Sequence, residues 1–178
     1  MSQTVEALRS EHQNMARMLD LLEQQVAVFE EAGEPDYELI GQIIDYFRRF
    51  PDLYHHPKEE VILMHLKERA PDQADKIGDL EGDHEGCSDH LQNLARFVVK
   101  VLMGGEVSRE AFVRLARDFI NNERKHMKGE EEVFFPIAME ALTPDDWRVI
   151  DEKVGRFSDP LSEPDRPFRF DLLRKHLQ

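Results

Sequence analysis

Apolar residues recur along this chain at three-, four- and seven-residue steps, the spacing of one buried helix face. From Val5 the series runs through Leu8, Met15, Leu19, Leu22 and Val26, until Gly33 and Pro35 in "EAGEPDYE" break it. A second helix is expected from about Tyr37 to Ala70, carrying Ile40, Ile43, Ile44 and Phe47. Pro51 and Pro57 each remove a backbone donor from it, which predicts a kink. Pro71 ends that helix, and a third is expected from about Gln73 to Met103 with Ile77, Leu80, Leu91, Leu94 and Val98 in register. Ser108 is the expected N-cap of a fourth helix that buries Phe112, Leu115, Phe119 and Phe134. Thr143 followed by Pro144 marks the capped start of a short fifth, with Trp147 as its apolar anchor. No stretch alternates as a strand does. The predicted fold is all-α, an antiparallel up-down four-helix bundle with a short fifth helix over residues 1–156. A Pro-rich C-terminal extension with a short helix at "FDLLRKHL" is expected over 157–178.

The apolar phase decides which titratable residues point inward. In "LYHHPKEEVIL" both His55/Glu59 and His56/Glu60 are four residues apart and so share a helix face. Steps of three, four and seven from Glu59 reach Ile62, Leu63 and Leu66, whereas from Glu60 they reach Leu63, Met64 and the charged Lys67. The first pair therefore faces inward, with His56 and Glu60 on a flank as alternates. In "KHMKGEEEVFFP" the pair His126/Glu130 leads to Val133, Phe134 and Ile137. His12 lies in phase with Leu8, Met15 and Leu19, and His84 in phase with Ile77, Leu80, Cys87 and Leu91. Each long helix thus aims one histidine at the bundle axis, and the second and fourth add a glutamate.

A single inward histidine is more often a satisfied core group than a ligand. Four histidines and two carboxylates converging need a common partner, because burying unpaired charge is costly. A metal is the simplest one. Six imidazole and carboxylate ligands exceed the four of a single zinc, and calcium and magnesium prefer oxygen alone. Iron or manganese suits the mixture, and two glutamates from opposite helices can bridge a pair of ions.

Composition narrows the setting. A formal net charge of −14 argues against wrapping nucleic acid or docking on anionic lipid. No apolar run approaches a membrane span and no leader pattern opens the chain. Cys87 is the lone cysteine, expected as a small core residue, and a cytoplasmic location fits. His65, His90 and His176 read as ordinary surface histidines.

The order His, then HxxxE, then His, then HxxxE resembles the hemerythrin-like proteins with the HHE cation-binding signature. The resemblance rests on "LRSEHQNMARMLDLLE", "YHHPKEE", "DHEG" and "HMKGEEEVFFP", within about Val5 to Val154. It implies a four-helix bundle around two non-haem iron ions with an oxo or hydroxo bridge, with manganese or zinc as substitutes. Carried over by position, the ligands are His12, His55, Glu59, His84, His126 and Glu130. Oxygen-carrying members have a second histidine four residues on in the third helix, where this chain has Ser88. They also have an aspartate five after the fourth-helix histidine, where Glu130 here stands at four. Both departures argue against oxygen storage and for sensing or reacting with iron or with a small ligand such as oxygen, nitric oxide or peroxide.

Two other readings remain at this point. Glu81 with His84 and Glu123 with His126 have the ExxH spacing of a ferritin-like di-iron oxidase, although on the third and fourth helices rather than the second and fourth. Alternatively the chain is an acidic helical interaction module whose histidines are incidental, with "DRPFRFDLLRKHL" as a docking arm. No Ser/His/Asp order, phosphate loop or HExxH motif marks another enzyme.

Overall fold

In the computed structural model, which describes residues 2–155 and Leu173, every regular element is helical. Helix α1 spans Gln3–Glu30 and starts at Ser2, whose hydroxyl accepts from the Val5 amide. Helix α2 spans Tyr37–Phe50 behind an Asp36 cap. It runs through a π-helical turn, Pro51–His55, into α3, His56–Arg69. A four-residue helix α4, Pro71–Ala74, precedes α5, Leu80–Leu102. Helix α6 spans Arg109–Gly129 and passes through a second π turn, Glu130–Phe134, into α7, Phe135–Ala141. Helix α8 spans Pro144–Val154, and its Thr143/Asp146 capping box is the start expected from sequence.

Helix α6 packs along α1 and α5, α2 packs along α5 and more briefly α1, and α8 folds back on α3 and α1. No described helix is long and apolar enough to cross a membrane.

The interruption in the second long stretch is a widened turn. His56 N–H donates to the Pro51 carbonyl and Phe135 N–H to that of Glu130, both five residues back. Each π turn is followed within two residues by a proline, Pro57 or Pro136, which has no N–H to close an ordinary turn. The third helix departs from expectation. It begins at Leu80, because Gly78 takes a left-handed φ of 85° and Asp79 caps the Gly82 amide. Ile77 continues the apolar rhythm across that break but lies in the turn.

The apolar residues form two clusters. One gathers Met15, Leu19, Ile43, Phe47, Phe50, Leu91, Phe119 and Met127, and the other Val5, Leu8, Ile62, Leu66, Leu80, Phe134, Phe135 and Ile150. Leu173, inside the expected C-terminal helix, is buried in the first cluster. The remainder of the 157–178 extension lies outside the described residues.

Candidate metal centre

Each long stretch crosses from one cluster to the other at a titratable residue. On α1, His12 lies between Leu8 and Met15, and on α5, His84 lies between Leu80 and Leu91. His55 and Glu59 separate Phe50 from Ile62, and His126 and Glu130 lie between Ile120 and Phe134. A polar layer therefore divides the interior.

Two groups of donor atoms occupy that layer. His12, His55, Glu59 and Glu130, all buried, offer one atom each within 4.8 Å of one another, and so do His56, His84 and His126. The six residues selected by apolar phase are thus together, split over adjoining groups, and His56 joins them from the flank. Glu60, the other alternate, is exposed, as is Met64 beyond it.

The imidazoles of the first group are aimed by carboxylates. His12 Nδ1 is 3.0 Å from Glu131 and His55 Nδ1 is 2.9 Å from Glu11, while their Nε2 atoms face each other at 3.0 Å. An N–H donated from each Nδ1 leaves two bare lone pairs opposed across that gap. Such a carboxylate–imidazole arrangement is how proteins orient a metal-binding nitrogen. Glu11 is itself paired with the buried Lys58, and Glu131 with Arg9. Spacing alone had not singled out Glu11, Lys58 or Glu131. Two of them carry a signal in retrospect, since Glu11 is in phase with Leu8 and Met15, and Lys58 with Ile62.

The remaining donors are crowded without being satisfied. His126 Nε2 is 3.0 Å from Glu130, and His84 Nε2 is 3.3 Å from Glu59 and 3.6 Å from Glu130. Yet both oxygens of Glu59, both of Glu130 and the Nε2 atoms of His84 and His126 lack an aligned hydrogen bond. At about 1–3 kcal/mol per orphaned buried polar group, these atoms alone cost on the order of 10 kcal/mol. That rivals the net stability of a whole domain. A cation at their focus removes the cost, so the residues fit a metal.

Without metal, protons take part of that role. Burial opposes charge on His55, but Glu59 and Glu11 outweigh it and push its pKa up to about 10. Burial likewise opposes charge on His84, and Glu130 and Glu59 raise it to about 9. Burial and mutual repulsion push Glu59 and Glu130 up, and the surrounding imidazoles pull both below the ordinary carboxylate range.

The second group lies nearer solvent. The side chains of His56 and His84 are 16% and 18% exposed and line a cavity of about 540 Å³ with Ser88, Cys87 and Glu123. Burial raises the pKa of Glu123 to about 7 against the pull of His126 and Cys87, and burial beside Glu123 raises the Cys87 thiol as well. Glu81 is exposed and Glu123 belongs to neither donor group, so the ExxH pairs are not assembled. Cys87 is a buried side chain, as expected.

A family model described as hemerythrin HHE cation binding domain matches residues 3–138. No curated protein and no solved structure matches the chain.

Proposed function

The chain belongs to the hemerythrin HHE cation-binding family, and on that premise we propose that it is a non-haem di-iron protein. The four long stretches would form an up-down bundle around the polar layer. His12, His55, His84 and His126 would hold the ions by their imidazoles, together with the carboxylates of Glu59 and Glu130. The observation that carries this is the pair of buried carboxylates, Glu59 and Glu130, whose oxygens lack an aligned hydrogen bond although imidazoles stand on either side of them. Such donors suit iron, with manganese or zinc as substitutes.

Iron bound there would supply redox chemistry toward a small ligand such as oxygen, nitric oxide or peroxide. The chain's own residues shape how that happens. Glu131 and Glu11 fix His12 and His55 in one tautomer. The apolar clusters shut water out above and below the layer, while the cavity beside His84 admits it at one side. Storing oxygen reversibly needs a site closed to water. A centre open at one wall favours sensing or turnover over storage.

Anaerobic loading with ferrous iron, followed by titration with oxygen, nitric oxide and peroxide, tests the proposal. Two tightly bound ions per chain and irreversible oxidation by oxygen are expected. At most one tight ion would sink the dinuclear centre. A visible spectrum that appears under oxygen and bleaches under vacuum over repeated cycles would restore storage.

A further inference from the structure

We propose that His56 is the third imidazole of the second metal position, reaching it from α3 in place of a ligand that residue 88 of α5 does not provide. This deepens the di-iron proposal and rests on it. The first support is convergence. His56 offers a ring nitrogen within 4.8 Å of ring nitrogens on His84 and His126, and its ring stacks on His84 with centroids 3.6 Å apart.

The second support is orientation. His56 Nδ1 lies 3.2 Å from the Asp52 carboxylate, one turn earlier. His12 and His55 have the same arrangement with Glu131 and Glu11. A carboxylate on Nδ1 fixes the tautomer that presents Nε2 to a metal. Asp52 lies on the π turn ahead of α3, so the widened turn supplies both His55 and the carboxylate that aims its neighbour.

The third support is elimination at the position itself. Ser88 lines the 540 Å³ cavity, and among the described residues its hydroxyl accepts a long 3.4 Å contact from Gln92. The Cys87 thiol is held by the Asn122 amide, and burial beside Glu123 disfavours its thiolate. Neither Glu123 nor His90 belongs to a donor group. His56 is the remaining ring at that wall.

With His56 included, the second position has three imidazoles and the first has two, besides the shared carboxylates.

The test is a ligand swap read by ferrous iron stoichiometry and affinity under anaerobic conditions. Wild type should bind two ions. His56→Ala should keep one and bind the second at least about 100-fold more weakly. His56→Ala/Ser88→His, which returns an imidazole from α5, should recover two. Asp52→Asn should weaken the second ion by about 10- to 100-fold, as loss of an orienting partner does. Where His56→Ala fails to fold by circular dichroism, His56→Gln is read the same way. Two ions bound with wild-type affinity in a folded His56 variant would overturn the assignment while leaving the di-iron centre intact. Fewer than two ions in wild type would overturn both.

Discussion

The Nε2 atoms of His12 and His55 face each other across 3.0 Å, each ring having its Nδ1 on a carboxylate. Opposed lone pairs at that distance are stable only with a proton or a cation between them. Metal bound there stabilises the fold by mass action, about 2.7 kcal/mol at a hundredfold excess over its Kd. For a chain of this size that is a rise in Tm of roughly 5–10 °C, readable by calorimetry with and without ferrous iron. His12→Ala should remove most of the rise.

Protons stand in for the metal, so the metal-free protein has a pH signature. His55 and His84 have pKa values of about 10 and about 9 when folded, against 6.5 when unfolded. The folded state thus binds more protons between those limits. Their contribution is complete below pH 6.5 and disappears as pH rises through 9 to 10. The Tm of metal-free protein should fall steadily from pH 7 to pH 10, and metal-loaded protein should show a flatter curve. Equal slopes for the two forms would refute the exchange of protons for metal.

Glu123 acts in a lower window. Its pKa is raised from 4.5 to about 7 in the folded state, so stability is lost as pH rises between those values. Glu123→Gln is neutral throughout and escapes the loss. The variant should match wild type near pH 4 and exceed it at pH 8 by up to about 3 kcal/mol, measured by urea denaturation.

Lys58 and Glu11 form a buried pair behind His55. Lys58→Met leaves a carboxylate buried without its cation and should cost roughly 3–5 kcal/mol. The double variant Lys58→Met/Glu11→Gln should recover much of that. A double variant as unstable as the single one would show that packing of the lysine stem, not charge, is at stake.

Register can be checked beside Glu59, which is fully buried, while its neighbour is exposed. Glu59→Ala should lose both ions. Glu60→Ala should bind iron like wild type and change Tm by no more than about 1 °C, as surface substitutions do.

Apolar phase was enough to separate Glu59 from Glu60, because α3 downstream of Pro57 is a regular helix in which a one-residue shift turns the face by about 100°. The same reasoning placed His56 on a flank. That count ran downstream of Pro57 and did not reach through Pro51–His55, where the backbone bonds five residues back instead of four. Prolines announced a disturbance there without saying that the turn would widen. The start of α5 was missed for a different reason. Ile77 keeps the apolar rhythm while α4 has already ended at Ala74, Gly78 turns the chain and Asp79 caps the next helix, so capping chemistry outranked periodicity. Glu11 and Lys58 escaped because each is satisfied by the other across 47 positions of sequence, a relation that no local spacing encodes.

The polar layer between the two apolar clusters should let the two ends of the metal-free protein open separately. Oil on either side cannot communicate through a sheet of charge, so a loss of packing around Phe47 need not be felt around Phe135. Metal ligated from four stretches at once, as proposed, would change that, because no stretch could then leave without breaking bonds held by the others. Hydrogen exchange in the metal-free chain should report two opening energies, one for each end, and in the loaded chain a single one. Cooperativity, in this protein, would be a property conferred by its ligand.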